Sequence, residues 1–123
     1  MARLILVRHG ESEGNRDRRF TQNAEVPLTD LGREQARVAG VRIADRFAPV
    51  EVVASPYRRA HQTGEIIASA LRLPLSFEPD LREQSFGVLA GQPYNVLMSD
   101  AFRHDGPRWE WRPPQGESLV DVY

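Results

Sequence analysis

The run Leu4-Ile5-Leu6-Val7-Arg8-His9-Gly10-Glu11-Ser12-Glu13-Gly14-Asn15 decides how this chain is read. Four apolar residues follow one another without a polar break, the pattern of a strand buried on both faces of a parallel sheet. The run stops at Arg8-His9-Gly10. In open α/β sheets ligands bind just beyond the carboxyl ends of strands. An arginine and a histidine therefore stand where such a fold keeps its chemistry, and Gly10 allows a sharp turn beside them. A lone histidine after a strand is more often a hydrogen-bonded loop residue than a catalyst. Its neighbours change that reading. The fixed charge of Arg8 favours the neutral imidazole, the nucleophilic form. Its planar donor fork suits phosphate oxygens, and Asn15 adds an uncharged donor. A neutral His9 among such groups is equipped to accept a phosphoryl group covalently.

Outward from this stretch, β-branched and helical patterns alternate. Thr29 or Asp30 caps a predicted helix to about Phe47, with Ala36, Gly40, Ile43 and Phe47 on one face, packed on a sheet. Val50 to Ala54 reads as a second strand. Ser55-Pro56 reads as the cap of a second helix, from about Tyr57 to Leu71, with Ala60, Gly64, Ile67 and Leu71 inward. Pro74 ends that region, Leu75 to Glu78 forms a third strand, and Pro79 to Glu83 is the turn beyond it. Strand–helix alternation of this kind implies parallel crossovers. Glu11 to Glu25, with Arg16, Arg18 and Arg19, reads as a solvated loop that helps steer anions. Pro93 opens a short helix to about Phe102, and the Trp109–Trp111 region reads as an irregular cover. Ser118 to Asp121 resembles a helix start at the very end of the sequence.

The 123 residues make one small domain with an ordinary soluble composition, 41% hydrophobic and 27% charged. A net charge of -1 gives no basic surface for nucleic acid or membrane. All 16 basic residues are arginines, which excludes a lysine Schiff base. The absence of cysteine excludes a thiol nucleophile and a zinc–thiolate site, and no two histidines have chelating helical spacing. No apolar run is long enough to span a membrane. With no leader visible before Leu4, a cytoplasmic location is expected.

The motif Arg8-His9-Gly10-Glu11 resembles the signature of the histidine phosphatase superfamily, which includes the cofactor-dependent phosphoglycerate mutases. The resemblance continues in order through Pro27 to Gly32, Ser55-Pro56-Tyr57-Arg58-Arg59-Ala60-His61-Gln62-Thr63, Leu81-Arg82-Glu83 with Phe86-Gly87 and Gly91, and Gly116-Glu117-Ser118. It implies a three-layer α/β sandwich with a mostly parallel sheet. It implies a phosphomonoester hydrolase working through a phosphohistidine on His9, without metal or cofactor, on a small phosphorylated substrate. In that pattern Arg8, Asn15 and Arg59 bind phosphate, and Glu83 is the acid whose pKa burial and a nearby phosphate raise. Gly10, Glu11 and Glu117 are supporting residues. The family's second histidine, on a later strand, has no counterpart here, because neither His61 nor His104 stands in its motif. The sequence is therefore expected to be the amino-terminal part of a longer protein, inactive by itself and incomplete in its sheet. A phosphoglycerate mutase and a non-catalytic phosphate-binding module are the alternatives. The Arg-rich stretch Arg16 to Glu25, with Phe20 its one aromatic, leans towards phosphatase.

Overall fold

The computed structural model describes residues 3–19, 25–82, 90–93 and 115. Within them the elements run α1 (Glu13–Arg16), α2 (Asp30–Arg46), β1 (Val52–Ala54), α3 (Arg58–Leu71), β2 (Leu75–Phe77) and a 3-10 turn at Pro79–Leu81. The α/β class expected from the sequence is what the structure shows. β1 and β2 pair in parallel, with Val52 opposite Leu75 and Ala54 opposite Phe77, and α3 is the crossover between them. Bonds from Val52 N–H to Pro74 O and from Glu78 N–H to Ala54 O continue the ladder at either end.

α2 starts where the sequence places it. Thr29 is its N-cap, and the hydroxyl accepts from Gly32 N–H at 3.1 Å. Its buried stripe is made of small residues, Gly32, Ala36 and Gly40. Such a stripe lets two helix backbones approach closely, and α2 packs mainly against α3 rather than directly on the sheet. Ile43 is half-buried and Phe47 exposed, so the inward face predicted for this helix is buried only towards its start. α3 begins at Arg58, after the expected Ser55-Pro56 cap. Ser55 Oγ instead accepts from Tyr57 N–H at 3.3 Å, and extended Tyr57 becomes an N-cap without a side-chain bond. The helix stops because Arg72 turns left-handed, at φ 55°, two residues before Pro74.

Two expectations need correction. Residues 4–7 carry no strand assignment, and Leu4 and Leu6 are 83% and 85% exposed. A strand exists through the ladder it joins, and among the described residues no ladder bond engages this segment. Secondly, the polar stretch after Glu11 is not simply a loop. Ser12 caps α1 reciprocally: its hydroxyl accepts from Asn15 N–H at 3.2 Å, and Asn15 Oδ1 accepts from Ser12 N–H at 3.1 Å. Pro93 forms an isolated bridge with Arg19; the helix predicted after it, and Trp109 and Trp111, lie outside the described residues.

Candidate active site

The segment 8–12 is held by backbone contacts that only bare backbone allows. Gly10 is buried, and a Cβ built on it would lie 2.2 Å from Gly32 O. One on Gly32 would lie 2.0 Å from Glu11 O. The Arg8-His9-Gly10 turn therefore rests directly on the first turn of α2, and glycine at both positions is a steric requirement. Thr29 closes the same contact. Its N–H donates to Glu11 O at 2.9 Å, and its hydroxyl lies 2.8 Å from Glu11 Oε1.

His9 is half-buried, and its Nδ1 lies 2.7 Å from Gly10 O. A carbonyl oxygen only accepts, so Nδ1 carries the proton in this bond. In the neutral ring the lone pair then lies on Nε2. This is the arrangement a nucleophilic imidazole requires, and the adjacent peptide carbonyl supports it. Arg8 is exposed and makes no hydrogen bond or ion pair among the described residues. A cleft of about 230 Å³ is lined by Arg8, His9, Gly10 and Thr63, with Gln35 and Ala36 of α2 on its other wall.

Arg59 stands at the second residue of α3 and is 2% exposed. Its guanidinium carbon lies 5.1 Å from the Tyr57 ring centroid, a cation–π distance. A helix N-terminus and a buried guanidinium together favour an anion. One turn further along, Thr63 joins this helix to the His9 loop. Its hydroxyl donates to Arg59 O at 2.8 Å and accepts from Gly10 N–H at 3.1 Å. Gln62 Oε1 accepts from Leu28 N–H at 2.8 Å and fixes the strap leading into α2. Asn15 is half-buried; its Oδ1 is committed to the α1 cap, also receiving Ser12 Oγ at 3.0 Å, while its amide nitrogen makes no bond among the described residues.

The structure thus links the backbones of Gly10 and Arg59 through one buried hydroxyl, and places Asn15 on the helix that leaves the same loop. Glu83 and Glu117 lie outside the described residues. His61 is, as expected, a helix residue near the surface, paired with Glu65 and 4.6 Å from the Phe77 ring. Sequence reasoning gave no role to Thr63, Gln62 or Ser12, and to Thr29 only that of a helix cap. Three of these stood inside the quoted motifs, and Ser12 and Asn15 carried the spacing of a capping box. Among the described residues no group of three acidic, histidine or cysteine side chains is placed to hold a metal, and no helix is long and apolar enough to cross a membrane.

Comparison with known proteins identifies the family. The family model for the histidine phosphatase superfamily (branch 1) matches residues 4–123. The probable phosphoglycerate mutase GpmB of Proteus mirabilis is 37% identical over 127 residues, 99% of this chain and 58% of that protein. Fructose-2,6-bisphosphatase TIGAR B of Danio rerio is 38% identical over 126 residues, 97% of this chain and 48% of that protein. The chain spans about half the length of the curated relatives it matches. Among solved structures, a mycobacterial glucosyl-3-phosphoglycerate phosphatase in complex with VO3 superposes with a TM-score of 0.79 at 30% identity, over 93% of this chain and 58% of that one. Bacillus stearothermophilus YhfR gives the same TM-score and identity over 94% of this chain and 58% of that one.

Proposed function

Since the chain belongs to the histidine phosphatase superfamily, we propose that it forms part of a single-domain phosphomonoester hydrolase in which His9 carries the phosphoryl group. The observation that supports this most directly is the Nδ1–H bond of His9 to Gly10 O, which leaves Nε2 as the lone-pair atom. Two displacements follow. Nε2 attacks phosphorus while Arg8, Arg59 and the Asn15 amide hold the equatorial oxygens. Glu83 protonates the departing alkoxide. Water then attacks the phosphohistidine, with Glu83 now taking the proton. Most of the rate gain comes from positioning and from charge placed in advance. The substrate is a small phosphorylated metabolite, and the setting is the cytoplasm.

A mutase reading has its own support in the similarity to GpmB. It differs in the acceptor: the phosphoryl group returns to a phosphoglycerate instead of passing to water. Incubation of the full-length protein with a labelled phosphoglycerate donor separates the two, by release of inorganic phosphate or by transfer. In the same preparation, acid-labile phosphate should appear on wild-type protein and vanish in His9→Ala, together with turnover. Undiminished turnover in His9→Ala would reject the covalent mechanism. Glu83→Gln should slow substrates with poor leaving groups far more than those with good ones; an equal loss for both would remove Glu83 as the acid.

A further inference from the structure

We infer that Thr63 and Gln35 are positioning residues for the His9 nucleophile, acting through the two peptide planes that flank Gly10. The inference rests on the phosphohistidine reading above. In the plane before Gly10, its N–H donates to Thr63 Oγ1 at 3.1 Å. In the plane after Gly10, the carbonyl accepts from His9 Nδ1 at 2.7 Å and the Glu11 N–H donates to Gln35 Oε1 at 2.8 Å. The peptide that orients the imidazole is thus held from its opposite edge by one side chain of α2. The preceding peptide is held by one side chain of α3. Glycine has the widest φ/ψ freedom of any residue, so neither plane is fixed by the chain itself. Gly10 must be glycine because of Gly32, and the conformational freedom this admits is removed by the two clamps.

The two clamps are unequal. The Thr63 bond is buried, and its hydroxyl also donates to Arg59 O, so a single group sets the nucleophile's backbone relative to the helix start that carries Arg59. The Gln35 bond is exposed to water, which competes for the same N–H. Removing Thr63's hydroxyl should therefore cost more than removing Gln35's amide.

The test uses the full-length protein, with p-nitrophenyl phosphate as the probe. His9→Ala serves as the inactive reference. Thr63→Val keeps shape and loses both bonds; Thr63→Ser keeps the hydroxyl. Misplacing a reacting group by about 1 Å costs on the order of 10²-fold. The valine variant should lose kcat by roughly 10- to 100-fold with little change in KM, and serine should recover most of it. The nitrogen NMR shifts of the His9 ring should move from the Nδ1–H form towards a tautomer mixture in the valine variant only. Wild-type kcat in Thr63→Val, equal losses for serine and valine, a loss confined to KM, or an unchanged tautomer would each overturn the inference. If the valine variant does not fold, exposed Gln35 decides. Gln35→Leu should lower kcat by up to about tenfold, while Gln35→Glu, which still accepts from Glu11 N–H, should not. Equal behaviour of those two overturns it as well. Retained turnover in His9→Ala would instead reject the phosphohistidine reading on which the inference rests.

Discussion

A methyl group is the smallest addition that Gly10 can receive, and it has nowhere to go. Its carbon would sit 2.2 Å from Gly32 O, a backbone atom that moves only with the start of α2. Gly10→Ala should therefore lower stability by about 1–3 kcal/mol, the usual range for overpacking, and pull the turn off the helix. Thermal unfolding measures the first effect, and the rate of phosphohistidine formation the second. Thr29 gives a second residue-scale expectation. Its hydroxyl caps α2 through Gly32 N–H and meets the Glu11 carboxylate. Thr29→Ala should cost about 0.5–2 kcal/mol, and Thr29→Ser much less, by the same measurement. At this scale the sequence was legible where chemistry has a vocabulary: Arg8, His9, Asn15 and Arg59 were proposed from residue type and motif. Thr63 and Gln35 were not. Their contacts exist only because α2 and α3 fold to opposite sides of one glycine, and no local pattern announces a contact between residues 10 and 63.

Helical elements were easier to read than strands. A helix states its period and its caps locally, which is why α2 and α3 fall within two residues of their expected bounds. A strand is completed by its neighbours. Val52–Ala54 and Leu75–Phe77 found each other through the α3 crossover, whereas the apolar run 4–7, the strongest strand signal in the sequence, joins no ladder among the described residues. On α2, Glu34 and Arg37 pair across one turn, Nε donating to Oε2 at 2.9 Å. The guanidinium hydrogen bond, reinforced by its charge, holds the Glu34 carboxyl below its ordinary range. A depressed native pKa stabilises the helix above the unfolded carboxylate's pKa, and that contribution is lost as pH falls through the native value. Both side chains are exposed, so the effect is small and screened by salt. Arg37→Gln should raise the Glu34 midpoint in a carboxyl NMR titration, and added salt should raise it in the wild type.

At the scale of the whole molecule, burial is uneven. Among the described residues the buried apolar side chains are Leu28, Ala36, Ala54, Ile67 and Ala68, while Leu4, Leu6 and Val50 stand more than 80% exposed. Backbone that joins no ladder among the described residues, beside exposed leucines, is a template for edge-to-edge association. The 123-residue polypeptide should therefore self-associate with rising concentration, and Leu6→Asp should reduce that in sedimentation velocity. An unchanged association state in Leu6→Asp would point to another surface. The site itself is distributed differently. Arg59 and Thr63 ride on successive turns of α3, so any rigid tilt of that helix carries the guanidinium and the hydroxyl as one body. On the proposed roles, anion capture and imidazole alignment are mechanically geared together. Warming that loosens α3 should degrade both in step, and vanadate affinity and phosphoenzyme formation should decay along a single temperature curve.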